Sequence, residues 1–191
     1  MVADVDTTWS GIGSALWRLA THPEDRQHLV AQPELLPWAI EELLRAYAPV
    51  TMARIATEDI EVAGCSMSAG DRVLLSFSAA NRDPSVFPDA DKLVIDREVN
   101  RHVAFGAGIH RCAGSNLARM ELLVALEEWL ARIPDFRLDD SAQVTWAGGQ
   151  VRGPALGPGP LSVIASRSTA SRRPIRVEPA VEVVVVRTEI Q

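Results

Sequence analysis

Ten residues at positions 105–114 contain two glycines and then a cysteine, directly before a helical pattern. Their sequence is Phe105-Gly106-Ala107-Gly108-Ile109-His110-Arg111-Cys112-Ala113-Gly114. Glycine adopts positive φ angles and lets a ligand come close to the backbone. Unpaired backbone N–H groups at a helix start favour a thiolate. The segment therefore predicts a turn that presents the Cys112 side chain at the beginning of a helix.

Three other interpretations of this segment were weighed. For an isolated cysteine near a helix start, a buried structural thiol is the common outcome. A zinc site would use His102, His110 and Cys112, but these lack close ligand pairs and a fourth ligand. A phosphate-binding loop would need a Walker or dinucleotide-binding spacing, which is absent. The structural thiol is thus the main alternative to a ligand.

The remaining patterns predict a mainly α-helical fold with small β-sheets. Apolar residues three and four apart predict helices over about residues 1–20, 24–31, 37–47 and 113–132. Residues 21–24 are typical of a capping box with proline in the first turn. Alternating segments predict strands at 52–57, 60–63, 72–75, 136–138 and 144–146, and residues 76–82 a short helix. Residues 87–111 show no period, as in a long functional loop.

Composition argues against several classes of partner. The 191 residues carry a net charge of −6, without a Lys/Arg run, so nothing indicates nucleic acid or an anionic membrane as partner. No run of 18 apolar residues predicts a membrane span, and the acidic N-terminus is unlike a signal peptide. Cys65 and Cys112 form no disulfide framework. We therefore expect reduced thiols in a cytoplasmic protein.

The ten-residue segment resembles the heme-binding signature of the cytochrome P450 family, Phe-Gly-x-Gly-x-His-x-Cys-x-Gly, and matches every fixed position. The resemblance implies that Cys112 is the axial thiolate ligand of the iron of heme b. It further implies that Phe105 packs near the sulfur and that His110 points toward a heme propionate. The other implied cofactor-binding positions in the segment are Gly106, Gly108 and Gly114.

A second motif precedes the cysteine segment. Glu42 and Arg45, three residues apart on the third helix, share a face and can pair. They resemble the family's Glu-x-x-Arg motif, and Arg97 occupies the place of the arginine to which the family ties this pair. The implied role is structural, a buried triad that holds the cysteine loop. Leu93 and Val94 stand where the family usually has Phe-Asp, which we expect to weaken local packing and hydrogen bonding.

Two further sets of residues resemble family positions. Arg54 and His102 correspond to residues that hold heme propionates in bacterial members, and arginine makes bidentate contacts to carboxylates. Residues 3–8 resemble the oxygen-activation stretch, in which Asp6 and Thr7 would form the acid–alcohol pair that delivers protons. Asp4 stands where the family commonly has glycine, so we expect it to hinder oxygen activation. Without the resemblance, these acids are a first turn that complements the helix dipole.

The resemblance covers about residues 2–154 and implies the C-terminal part of the cytochrome P450 fold, truncated at the oxygen-activating helix. We accordingly divide the chain into a heme-binding half, residues 1–154, and a divergent tail, residues 155–191. The tail is expected to be poorly ordered, with a strand-like run at 181–186. An open apolar face predicts low solubility or weak heme retention.

The implied function is monooxygenation of a small organic molecule. Electrons would come from NAD(P)H through a ferredoxin or flavoprotein reductase, because the chain has no flavin or iron–sulfur motif of its own. Arg111 and Arg119, beside the cysteine, are candidate docking charges for this partner. The alternatives are a catalytically inactive heme-binding remnant and an interaction fragment that binds no heme.

Overall fold

The structure, a computed structural model, describes residues 3–138, 144–156 and 163–165. Helices α1 to α5 are Ala3–Thr21, Pro23–Ala31, Leu36–Ala46, Phe77–Ala80 and Ser115–Arg132, and short 3-10 helices lie at Pro33–Leu35 and Gly108–His110. Strands β1 to β8 are Thr51–Ile55, Ile60–Val62, Cys65–Met67, Arg72–Ser76, Phe136–Leu138, Val144–Ala147, Gly153–Leu156 and Val163–Ala165. The mainly α-helical class with small β-sheets is confirmed.

The four long helical predictions are confirmed to within a few residues, but the capping box is wrong. The residue before α2 is His22, whose side chain makes no capping hydrogen bond. The Thr21 hydroxyl instead donates to the Trp17 carbonyl at 2.9 Å, one turn back in α1. Thr21 is the last residue of α1, and its hydroxyl forms a hydrogen bond within that helix. It therefore does not cap the N-terminus of α2.

The strands form four separate antiparallel pairs, β1 with β4, β2 with β3, β5 with β8 and β6 with β7. Ala53 faces Leu74 and Arg54 faces Val73 in the first pair. The sequence missed β3, because Ala63 and Gly64 form a two-residue turn, both with positive φ, and the chain pairs back immediately. The predicted strand at 60–63 therefore ends one residue early.

Helices α1, α3 and α5 pack on one another around a single hydrophobic core. Their buried apolar side chains are Ala15, Leu16, Leu19 and Ala20 of α1, Leu36, Ala39, Ile40, Leu43 and Leu44 of α3, and Leu122, Leu126 and Leu130 of α5. Burying a side chain of leucine size contributes about 1.5–3 kcal/mol. This packing fixes the position of the N-terminus of α5, and the cysteine segment leads directly into that terminus.

Residues 81–107 form a loop without helix or strand. The lack of a hydrophobic period over residues 87–111 predicted such a loop. Phe87, Ala90, Ile95 and Ala104 are buried along it. The loop therefore packs on the helices by its own side chains, which is how it brings the cysteine segment to α5. Among the described residues, no helix is long and apolar enough to cross a membrane.

Regular structure continues beyond the predicted boundary at residue 154. Strand β7 extends across that boundary to Leu156 and pairs with β6, and β8 pairs with β5 through Phe136 and Ala165. Strands on either side of residue 154 thus pair with each other, and the domain boundary itself stays a prediction. The predicted strand-like run at 181–186 lies outside the described residues.

Candidate functional site

The cysteine segment forms a tight turn in which both predicted glycines have positive φ, +74° at Gly106 and +65° at Gly108. The Gly106 N–H donates to the Val103 carbonyl and the Cys112 N–H to the Phe105 carbonyl, both at 2.8 Å. The positive φ angles favour glycine at these two positions. The turn therefore depends on the glycines that the sequence singled out.

Cys112 lies at the surface, immediately before α5. Residues 107–113 are all exposed, and 96% of the Ile109 side chain is accessible. Helix α5 begins at Ser115 after Gly114 without a side-chain cap, and the Ser115 N–H donates to the Cys112 carbonyl at 3.4 Å. Cys112 therefore precedes the positive end of the helix dipole. An accessible thiol among apolar and glycine residues differs from the buried structural thiol considered above.

The chemistry and space around Cys112 fit a flat apolar cofactor ligated by sulfur. A Cβ atom at Gly108 would meet no heavy atom within 4 Å, and one at Gly106 would lie 3.6 Å from the His110 carbonyl oxygen. The exposed face over Gly108 is thus free of side chains, as close approach of a macrocycle to the sulfur requires. Among the described residues, no three His, Cys, Asp or Glu side chains are grouped to hold a metal ion, which gives the zinc alternative no support.

Glu42, which is fully buried, is the centre of a hydrogen-bond network. Its Oε2 accepts from the Arg45 Nε at 2.8 Å, from the Arg97 Nε at 3.0 Å and from the Asn100 Nδ2 at 3.0 Å. Its Oε1 accepts from the Arg45 Nη2 and from the Val94 N–H, both at 2.8 Å. The structure therefore brings together the three side chains that the Glu-x-x-Arg resemblance connected.

Arg45 extends this network to the backbone of the long loop. Its guanidinium donates to the carbonyl oxygens of Asn81, Ala90 and Lys92 at 2.7–2.8 Å. The Arg97 Nη1 donates to the Pro88 carbonyl at 2.8 Å. A buried charge is stable only when its polar atoms are hydrogen-bonded. Here these hydrogen bonds hold the loop against α3.

Leu93 and Val94, where weaker packing and hydrogen bonding were expected, each make one contact that supports the loop. Leu93 packs against the hydrophobic core, and the backbone N–H of Val94 supplies one of the hydrogen bonds to Glu42. A backbone donor does not depend on the side chain of its residue, so the departure from Phe-Asp leaves this bond intact.

A second acidic residue, Glu41, joins α3 to α5 and to the loop. Both of its oxygens accept from Arg119, Oε1 from Nε at 2.5 Å and Oε2 from Nη2 at 2.8 Å. The Glu41 Oε2 also lies 3.0 Å from the His102 Nε2. The Arg119 guanidinium carbon in turn lies 4.6 Å from the centre of the Phe105 ring. Arg119 is thus ion-paired within the chain and 27% exposed, which leaves Arg111 as the freer of the two predicted docking charges.

Both acids of α3 are held in the charged form. Burial alone would raise the pKa of Glu41, but hydrogen bonds from Arg119 and His102 outweigh it and lower the pKa to about 2. Burial likewise opposes ionisation of Glu42, and the hydrogen bonds from Arg45 and from the Val94 N–H prevail, so its pKa is lowered. Each carboxylate therefore stabilises the fold in its ionised form.

His102, predicted as a propionate contact, has two partners within the chain. Its Nδ1 accepts from the Ala104 N–H at 3.2 Å, and its Nε2 faces Glu41. Only 2% of the side chain is exposed. These contacts fix the position of the ring, and the propionate contact stays a prediction.

The remaining predicted residues lie apart from these networks. Arg54 is exposed on β1, where its Nη1 donates to the Ala53 carbonyl at 2.9 Å, and His110 is exposed in the 3-10 turn. Asp6 is exposed and Thr7 half-buried in the first turns of α1. The side chain of Asp4 lies outside the described residues.

Besides strands β3, β7 and β8, two features were not predicted from the sequence. Glu41 has partners 61 and 78 positions away, which no local spacing indicates. An open groove of about 780 Å³ lies between the β1–β4 pair and the β6–β7 turn; it is lined by Thr51, Met52, Ala53, Leu74, Gly148, Gly149, Gln150 and Arg152. Its walls come from three distant stretches of the chain, so only the tertiary structure reveals it.

Comparison with known proteins agrees with this geometry. A family model described as Cytochrome P450 matches residues 24–141. The chain is 44% identical over 160 residues to mycinamicin IV hydroxylase/epoxidase of Micromonospora griseorubida, covering 81% of this chain and 40% of that protein. It is 41% identical over 140 residues to the biotin biosynthesis cytochrome P450 of Bacillus subtilis, covering 73% and 35%.

Solved structures show the same partial match. CYP109E1 from Bacillus megaterium, in complex with corticosterone, superposes with a TM-score of 0.77 at 35% identity, over 81% of this chain and 42% of that one. The cytochrome P450 PksS of the Bacillus subtilis bacillaene polyketide synthase superposes with a TM-score of 0.79 at 38% identity, over 87% and 43%. The chain belongs to the cytochrome P450 family and spans about two fifths of the length of these relatives. Membership in this family implies a heme cofactor.

Proposed function

We propose that this chain forms the thiolate side of a heme-thiolate monooxygenase, with Cys112 as the axial ligand of heme b. The observation that carries the proposal is the exposed Cys112, presented by a turn with two positive-φ glycines at the N-terminus of α5. Family membership and the relatives named as hydroxylases and oxygenases support it. Because the chain spans only part of those relatives, the complete reaction is proposed for a protein that includes their whole length.

Four kinds of residue would contribute to such a site. Cys112 would bind the iron, and Gly106, Gly108 and Gly114 would let the macrocycle approach the backbone, with Phe105 beside the sulfur. Glu42, Arg45 and Arg97 would keep the loop in the shape that presents the sulfur. Arg54 and His110, both exposed, would bind heme propionates by charge and hydrogen bonding.

When bound, the heme would supply the reductive activation of molecular oxygen, with insertion of one oxygen atom into a small organic substrate. The carboxyl group of Asp6 and the hydroxyl of Thr7, adjacent on α1, would hold and relay the protons that this chemistry consumes.

The partners of the reaction follow from the same proposal. The electrons would come from NAD(P)H through a ferredoxin or a flavoprotein reductase. Arg111, exposed beside Cys112, is the remaining candidate docking charge for an acidic partner. Cys65 and Cys112 are both free thiols, which suits a reducing compartment, so we propose a cytoplasmic location.

The spectrum of the reduced carbon monoxide complex tests the ligand assignment. The chain is reconstituted with heme, and Cys112→Ala is compared with Cys65→Ala, which removes the other exposed thiol. We expect a strongly red-shifted Soret band in the wild type and in Cys65→Ala, and its loss in Cys112→Ala. A band that persists without Cys112, or is missing from the wild type, would refute the assignment.

A second candidate function is a heme-binding protein without catalytic activity, and a third is an interaction fragment without heme. Asp4, at the position where the family commonly has glycine, favours the inactive heme-binding form. Turnover driven by a peroxide as surrogate oxidant separates the first two candidates. Substrate oxidation supports the monooxygenase, and a normal carbon monoxide spectrum without oxidation supports the inactive form.

A further inference from the structure

Glu41 and Arg119 form a charge pair directly beside the loop that carries Cys112. The pair is bidentate and joins α3 to α5, and His102 of the loop adds a third contact to the same carboxylate. The exposed fraction is 27% for the Arg119 side chain and 28% for the Glu41 side chain. Partial burial lets such charges act more strongly than at the open surface.

Two short paths lead from this pair to the cysteine. The Arg119 guanidinium carbon lies 4.6 Å from the centre of the Phe105 ring, and the Phe105 carbonyl accepts the Cys112 N–H at 2.8 Å. On the other side, His102 accepts the Ala104 N–H, one residue before Phe105. Arg119 and His102 therefore both contact the backbone segment of Ala104 and Phe105 or its side chain.

Each member of the pair has few other charged partners. Among the described residues, Glu41 is the only ion-pair partner of Arg119, and Glu41 is contacted by Arg119 and His102. Glu42, the neighbouring acid, is occupied by Arg45 and Arg97. Removing one member of the pair would consequently leave the other charge uncompensated near the loop.

We propose that Glu41 is a positioning residue for Cys112, which clamps the cysteine loop through Arg119 and His102 and cancels the charge of Arg119 beside the iron ligand. The clamp is a property of the chain itself, whereas the charge effect rests on the proposed heme-thiolate function. The two halves therefore have separate tests.

The clamp is tested by hydrogen exchange in the chain without heme. We expect the amides of Gly106 and Cys112 to exchange about tenfold faster or more in Glu41→Gln, because charge-assisted hydrogen bonds to the loop are lost. Glu121→Gln, an exposed acid on α5, is the matched control and should leave both amides unchanged. Unchanged exchange in a folded Glu41→Gln chain, judged by the amides of α2, would overturn the clamp. If Glu41→Gln does not fold, Arg119→Lys gives the same test, because it keeps the positive charge and loses the bidentate hydrogen bonds to Glu41.

The charge effect is tested by the midpoint reduction potential of the heme-loaded protein. Reduction adds a negative charge at the site, so an unpaired Arg119 in Glu41→Gln is expected to raise the potential. An unpaired Glu41 in Arg119→Gln is expected to lower it, and the double variant should lie between the two. Shifts of the same sign in both single variants would indicate loosening alone and would overturn the charge effect.

The outcomes keep this inference separate from the proposed function. A wild-type chain without a thiolate–heme spectrum would refute the proposed function and the charge effect, while the exchange result would still decide the clamp. A normal wild-type spectrum with unchanged exchange and potential in Glu41→Gln would refute the inference alone.

Discussion

At the scale of single residues, two neighbouring glutamates on α3 have separate structural tasks. Glu42 points into the buried network with Arg45 and Arg97, and Glu41 pairs with Arg119 at the side of the cysteine loop. Successive helical positions are about 100° apart, so adjacent residues face different neighbours. This division lets one turn of helix support the loop from two directions.

Replacement of Glu42 is expected to be among the most destabilising single changes in the chain. Glu42→Gln would leave Arg45, which is 0% exposed, without its counter-charge, and breaking a buried pair costs about 3–5 kcal/mol. Urea unfolding followed by circular dichroism measures the free energy of unfolding. Glu127→Gln, an exposed acid on α5, should change it little, and an equal loss in both variants would contradict the prediction.

Acid is expected to destabilise the chain through the same two residues. The pKa of Glu41 is about 2 against an ordinary value of 4.5, and the pKa of Glu42 is lowered as well. Because both pKa values are lower in the folded chain than in the unfolded chain, the unfolded chain binds more protons than the folded chain below about pH 4.5. Stability present above about pH 4.5 is therefore lost as the pH falls toward 2. Urea unfolding over this range should show a shallower loss in Glu41→Gln, and an unchanged pH profile would argue against a role of Glu41.

At the scale of elements, the loop between α4 and α5 positions the cysteine segment on the packed helices. It contains no helix or strand from residue 81 to 107 and is held by side-chain hydrogen bonds to its carbonyl oxygens. Its last turn needs positive φ at Gly106 and Gly108. The conformation of the turn is therefore set by glycine, and its position by the buried arginines.

A methyl group at Gly108 tests this reliance on backbone conformation. Gly108→Ala meets no neighbouring atom, yet places alanine at a φ of +65°, which costs about 1–2 kcal/mol. Gly148→Ala has equally open surroundings and no positive φ, so it is the matched control. We expect faster hydrogen exchange at Cys112 and weaker heme binding in Gly108→Ala only. Equal behaviour of the two variants would show that the turn does not need glycine.

At the scale of the whole molecule, α5 has an apolar stripe that faces solvent. Leu117, Met120 and Val124, three and four residues apart, are 51–55% exposed, and Trp9 of α1 is 54% exposed. Apolar residues at this spacing lie on one face of a helix. Exposed apolar patches of this kind promote association, in line with the low solubility expected from the sequence.

Charged substitutions on this stripe are expected to reduce self-association. Met120→Lys with Val124→Lys would place cations near Glu121, Glu127 and Glu128 of the same helix. Light scattering across protein concentration should show a smaller mean mass for the double variant than for the wild type. Val86→Lys, an equally exposed apolar position in the long loop, serves as control, and an equal effect there would show that the stripe is not the associating surface.

The sequence by itself determined the local features of this protein. Helical periodicity located α1, α2, α3 and α5, and the glycine spacing before Cys112 predicted the turn that presents it, because both depend on residues a few positions apart. The pairing of Glu42 with Arg45 is likewise a contact within one helical turn. Strand β3 escaped prediction because it follows β2 directly after the two-residue turn of Ala63 and Gly64.

Only the tertiary structure decided which charges meet across the chain. Glu41 reaches Arg119 and His102, which are 78 and 61 positions away, so no spacing in the sequence indicates the contacts. For the same reason the sequence did not indicate that His102 and Arg119, predicted as a propionate contact and a docking charge, are also partners of one carboxylate. Local conformation is encoded in neighbouring residues, whereas ion pairing depends on how α3 and α5 pack.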